Sequence, residues 1–240
     1  ISNLYMRITA ILLILLCSHL YGQDMHFTQF QLNALHLNPA NTGRMDGNTR
    51  ASISYRNQWS SISSSPYRTL GISADKNFAY KGNLIGAGIL FLNDISGPGD
   101  LQVNQIYLNG AYHKYLGDHS ISVGFQPGVV AKSFNNSTFP DQFNDRSGVF
   151  DPNLNTDEPL LNTNASFFDL NAGIIYSYNK SKFRIEAGQA FWHILQPNES
   201  FTQGFEQKLK IRGVTYVSFL HRTSDYFHLQ PVILYNRQNK

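Results

Sequence analysis

Cysteine is all but missing: Cys17 is the only one in 240 residues, so no disulfide can brace the chain. Charge is scarce too. Asp, Glu, Lys and Arg make up 15% of the residues, against roughly 25% in an ordinary soluble domain. The formal net charge of +3 gives no argument for a nucleic-acid partner. No apolar run reaches the roughly 20 residues that a membrane-spanning helix needs. The eight histidines are scattered, no two of them at i, i+3 or i, i+4 spacing, so the usual signature of a metal site is absent. Phosphate-binding loops, H-E-x-x-H and G-x-S-x-G are missing as well. Neither a catalytic role nor a cofactor is expected.

What is present is aromatic and glycine-rich, with 17 Phe, 13 Tyr and 18 Gly. The one apolar run, Ile8 to Leu16, follows Met6-Arg7 and leads to "SHLYG". A short basic start, a brief apolar stretch and a small residue at the end spell a secretory signal peptide. Residues 1–22 are read as that signal, with 1–5 an extension upstream of Met6. Leu16 is not the small residue that lipid attachment at Cys17 would require.

From residue 48 onward the chain alternates with period 2, the mark of half-buried strands. In "TRASISYRNQW" one face is Thr49, Ala51, Ile53, Tyr55, Asn57 and Trp59, and the other is Arg50, Ser52, Ser54, Arg56 and Gln58. The pattern recurs at about 67–76, 84–93, 103–115, 120–131, 168–178, 183–194, 208–219 and 226–236, which predicts nine strands and no helix of consequence. These segments are as long as the roughly 9 to 11 residues that a tilted transmembrane strand requires. Tyr55, Trp59, Tyr112, Tyr115, Tyr176, Tyr178, Phe219 and Tyr235 fall near strand ends, where aromatic girdles would lie. The polar faces carry Gly, Ser and Asn, with few charges.

Connections alternate between long (60–66, 94–102, 132–167, 195–207) and short (77–83, 117–118, 179–182, 222–225). An outer-membrane barrel alternates in this way, with short turns on the periplasmic side, whereas a soluble β-sandwich has no reason to. The predicted fold is therefore all-β, an antiparallel transmembrane barrel over 48–240. Single-chain bacterial barrels have even strand counts. Nine strands thus imply a barrel that continues past residue 240.

Three features are candidate sites. Arg50, Arg56, Lys208, Lys210 and Arg212 alternate onto the polar, lumenal face, where they could hold an acidic partner or pair with Asp75, Asp169 and Glu186. Asp141, Asp145, Asp151, Asp157 and Glu158 could ligate calcium, though their spacing fits a solvated loop better. Third, "QDMHFTQFQLNALHLNPANTG" at 23–43 keeps neither period. Within a periplasmic segment 23–47 it is expected to tuck into or across the periplasmic mouth and cover Phe27, Phe30 and Leu35. Asn38-Pro39-Ala40 would form a turn, and Gly43 would lead into the first strand. The alternative is a disordered leader.

The same stretch carries a family resemblance. Asp24, Phe27, Thr28, Gln29 and Phe30, then Leu37, Asn38, Pro39, Ala40 and Gly43, then Tyr55, Arg56, Gln58 and Trp59 match three successive motifs (D-P-x-F-S-Q-Y, L-N-P-A-Y-x-G and Y-R-x-Q-W). Together they resemble the PorP/SprF family of type IX secretion system membrane proteins of the Bacteroidetes. Met25, Thr28 and Asn41-Thr42 are mild departures. The resemblance implies an outer-membrane barrel of about fourteen strands without catalysis or cofactor, serving protein secretion or gliding motility. Its implied partners are outer-membrane lipid, secreted surface adhesins with a type IX C-terminal domain, and periplasmic secretion-machinery or peptidoglycan-binding proteins. An outer-membrane channel is the alternative function.

Overall fold

A computed structural model of the chain describes residues 24–25, 27–63, 65–97, 101–134, 164–202, 204–224 and 226–238. The expected signal peptide and the acidic stretch Asp141 to Glu158 lie outside these residues. Ten strands follow one another: β1 Thr49–Gln58, β2 Tyr67–Tyr80, β3 Asn83–Ser96, β4 Leu101–Leu116, β5 His119–Ser133, β6 Asn164–Lys180, β7 Phe183–Trp192, β8 Arg212–Arg222, the two-residue β9 His228–Leu229, and β10 Val232–Gln238. All nine expected strands are present. Each pairs antiparallel with the next in a single meander, β8 pairing both β9 and β10. Among the described residues β1 and β10 do not pair, so the sheet is not closed.

The two-residue connections Lys81-Gly82, Gly117-Asp118 and Ser181-Lys182 all lie at one end, while 59–66, 97–100, 134–163 and 193–211 join strands at the other. Lys81 and Gly82 both have positive φ, 48° and 76°, the backbone that tight hairpins of right-twisted strands demand. These ends are called the short-turn end and the long-loop end.

The sheet is inside out compared with a soluble protein. On β5, Phe125 is 59% exposed while Gln126 beside it is fully buried, and Ser122 is buried while Val123 is not. Leaving Ile53, Ile89, Ile106, Leu108 and Phe168 on an exposed face would sacrifice about 1.5–3 kcal/mol each in water. An outward apolar face over a polar inner one instead fits a barrel wall in the outer membrane. No helix among the described residues is long and apolar enough to cross a membrane.

The long strands β2 to β6 run well beyond the sequence-based limits, because pairing continues up to the two-residue turns. Two expectations need correction. Tyr115 is inner, since it stands three residues from the outward Tyr112 and lines the interior cavity. Lys208 and Lys210 are not lumenal. β8 begins only at Arg212, because Lys208 bridges to Asn198 and the Leu209 amide donates to the Pro197 carbonyl, folding this stretch against 197–199. Both lysines are exposed, and Lys208 faces Glu206.

Candidate functional site

Residues 24–25 and 27–44 lie against the inner face of the whole sheet. Leu32 O accepts from Ser52 on β1, Gly43 N donates to Asp75 on β2, and Asp24 N donates to Gln238 on β10. Flat, nine strands would span roughly 38 Å at about 4.8 Å per neighbour. One short segment meets strands from β1 to β10 only because the sheet is rolled around it.

The segment also runs lengthwise. Asp24 shares His193 with Asp169 near the long-loop end of β6. Arg44 Nη2 donates to Ser177 near its short-turn end, 2.6 Å away. Asp169 and Ser177 are eight residues apart on β6, about 26 Å. The segment therefore passes through the interior and leaves at the short-turn end, extending well beyond a mouth.

Its local structure is a chain of tight turns: a 3-10 turn at Phe30–Leu32, one helical turn at Ala34–Leu37 and a second 3-10 turn at Pro39–Asn41. Asn38 starts the last of these, its Oδ1 accepting from the Ala40 amide at 2.9 Å with Pro39 next in line. This is N-capping followed by proline at the first helical position. The Asn38 amide also donates to the Ile174 and Gln189 carbonyls of paired β6 and β7. Such close approach depends on missing side chains. A Cβ on Gly173 would sit 1.9 Å from Asn38 Oδ1, and one on Gly124 would sit 2.4 Å from the Ala40 nitrogen. Gly86 stands just as close to the Thr42 carbonyl. His113 Nε2 contacts that same carbonyl oxygen at 2.8 Å.

Toward the long-loop end the contact is apolar. Phe27 and Leu35 are buried among Leu90, Leu92, Tyr107, Val130, Trp192 and Val214. The His36 ring lies between Phe27 and Trp192, with centroids 5.6 and 5.0 Å away. Phe30 is only half-buried, and Leu32 is exposed. Gln29 stays at the surface, its carbonyl closing the first turn.

Beyond this core lies a buried charge network. His193 Nε2 is 2.7 Å from Asp24 Oδ2, and its Nδ1 is 2.8 Å from Asp169 Oδ2. Tyr107 Oη donates to the same Asp169 oxygen at 2.9 Å. Arg212 Nη1 stands 3.6 Å from Asp24 and donates to the Met25 carbonyl, while its guanidinium lies 4.6 Å from the Trp192 ring centre. With a carboxylate at each ring nitrogen, His193 must supply two N–H groups, so it is imidazolium. Burial pulls its pKa down, but the hydrogen bonds and charges of Asp169 and Asp24 prevail and raise it to about 9. Burial likewise pushes the Asp24 carboxyl up, yet the His193 hydrogen bond and the Arg212 and His193 charges hold it well below the usual carboxylate range.

The sequence-chosen cations are dispersed. Arg50 grips Asp75 through two nitrogens and donates to the Asn41 carbonyl. Glu186 is taken by Arg44 at 2.7 Å. Arg212 serves Asp24, and Arg56 shares the inner face of β1 with Arg50. Of the first-strand motif, Tyr55 points outward; Gln58 ends β1, and Trp59 just past it packs edge-on against Tyr67 at 5.2 Å. Leu37 backs the core beside Ala40. Sequence reasoning did not single out His193, Tyr107, Gln126 or Asn171. The available signal was a polar residue in mid-strand among apolar neighbours, as in "AFWHILQP". Gln126 donates to the Leu35 carbonyl, and Asn171 donates to Gln126.

The arrangement contains acceptors, donors and packed rings; Ser122 Oγ lies 2.8 Å from His113 Nδ1, and the other nitrogen of that buried ring meets the Thr42 carbonyl. What it can do is hold a polypeptide. A family model described as type IX secretion system membrane protein PorP/SprF matches residues 19–240. No curated protein and no solved structure gives a match.

Proposed function

Because the chain belongs to the PorP/SprF family of type IX secretion system membrane proteins, we propose that it is a non-catalytic outer-membrane barrel, reached by way of a signal peptide, that binds and anchors secreted surface proteins. On this reading the short-turn end faces the periplasm and meets the secretion machinery, and the long loops face outward. Secreted adhesins of gliding or attachment are the cargo class. The observation that favours docking over conduction is the occupied interior: residues 24–25 and 27–44 follow the inner face from Asp169 to Ser177.

The test is cross-linking in the native outer membrane followed by capture of this protein. A secreted surface protein and a secretion component should be recovered. Recovery of neither, together with large stable conductance of the full-length protein in planar bilayers, would replace the docking reading with a channel.

A further inference from the structure

Below the docked segment, at the short-turn end, the interior opens into a cavity of about 540 Å³ lined by Arg44, Arg50, Arg184, Arg222, Tyr115 and Asn179, among others. Arg44 and Arg50 are neutralised by Glu186 and Asp75. Arg184 and Arg222 are not: among the described residues neither has a carboxylate within ion-pairing distance, and the Arg222 guanidinium donates to the Ser181 carbonyl.

Register places these two arginines together. Arg184 pairs with Leu220 across β7 and β8, and Arg222 is two residues beyond Leu220 on the same face. Diagonal neighbours of this kind lie about 7–8 Å apart, a spacing that one carboxylate can bridge between two long guanidinium side chains. Asn179 pairs with Arg184, adding an amide beside it. Tyr115 enters the same cavity from β4.

We propose that Arg184 and Arg222 form a carboxylate clamp at the short-turn mouth that takes an acidic segment of a protein partner. Guanidinium forks match carboxylates in geometry as well as charge. Phe30, Leu37 and Met45 along another wall give apolar contact that a lone small anion would not use. The volume suits a few residues of peptide. The clamp stands on geometry; only the partner's membership of the secretion system rests on the function proposed above.

The test is fluorescence anisotropy with the full chain in detergent micelles and a labelled Glu-rich peptide at low salt. Arg184→Gln and Arg222→Gln should each weaken binding about tenfold, as loss of a charge-assisted hydrogen bond does, and the lysine variants should weaken it less. A copy of the peptide with Gln for Glu should not bind. Unchanged affinity in the double glutamine variant overturns the clamp, as does equal binding of the neutral copy. Citrate displacing the peptide at matching affinity overturns the peptide assignment in favour of a small-anion site. Unchanged Trp192 emission in the variants establishes that the interior is intact. Peptide binding alongside a capture experiment that recovers no secretion component would leave the clamp standing and remove only the docking function.

Discussion

Raising the pH should release the N-terminal end of the docked segment, and His193 sets where. Its pKa rises from 6.5 to about 9 in the folded protein. A raised folded pKa means that the protonated group favours the docked state. The contribution is complete below pH 6.5 and is lost as pH climbs through about 9. Asp169 stays beside His193 when the segment leaves, so docking gains only the share of this rise that Asp24 supplies, which is less than the full rise of about 3 kcal/mol. Little solvent screening reduces it, because the His193 side chain is 2% exposed. Trp192 is the reporter: it is 1% exposed and packs on His36 and Tyr107. The other tryptophan, Trp59, is 60% exposed and can be replaced by Phe. In that background Trp192 emission should shift to the red between about pH 8 and about pH 10, and His193→Gln should abolish the transition. Constant emission across this range in the parent protein would refute the imidazolium bridge. An identical transition in the glutamine variant would refute the assignment to His193.

Asp24→Asn removes one of the two carboxylates that raise His193, so the Trp192 transition should move to lower pH in the same fluorescence titration. The Asp24 contribution has the opposite window: its lowered pKa makes docking complete above the ordinary 3.8 and weaker as pH falls below that value. Gly173→Ala forces a methyl onto Asn38 Oδ1; an overpacking cost of about 1–3 kcal/mol should make residues 24–43 protease-sensitive while the far-ultraviolet circular dichroism of the strands is unchanged. Leu35→Ala empties a buried site and should weaken docking by about 2–5 kcal/mol, read as faster proteolysis of the same segment.

The fold was legible because a barrel wall writes period 2 into every strand and reverses the usual sense of burial, as Phe125 beside Gln126 shows. Strand limits were less so. "KLKIR" alternates as well as any strand, and only the Asn198 bridge, ten residues upstream of Lys208, shows that β8 starts later. The site was half legible. Composition marked 24–43 as neither strand nor linker, and Asn38-Pro39 as a turn. Its partners were invisible, because Asp24 meets His193 across 169 positions and Thr42 meets His113 across 71. Periodicity reports which face a residue occupies and not its height along the barrel. Arg50 and Arg212 were therefore placed correctly on the inner face, and Asp75 was among the acids expected to pair with these cations, but the bond of Arg212 to Asp24 was not foreseen.

Charge and shape divide the work of holding the segment. A buried ion pair gains little net stability, since removing charges from water costs nearly what their attraction returns, but breaking one partner of the pair is expensive. The Asp24–His193–Asp169 bridge therefore contributes mainly to register. Sliding the segment by one residue would separate Asp24 from His193, leaving that carboxylate without its partner, and drive Asn38 out of the space that Gly173 leaves. The apolar contacts of Phe27 and Leu35 supply most of the favourable energy and tolerate small shifts. Docking that is strong but fixed in one register leaves the short-turn cavity with a constant floor of Arg44, Asn41 and Leu37. A partner arriving there meets a preorganised surface, one wall of which is the chain's own N-terminal segment. Displacing that segment should weaken acidic-peptide binding even with Arg184 and Arg222 intact. Gly173→Ala tests this in the anisotropy assay, where affinity equal to that of the parent protein would show that the cavity forms without the segment.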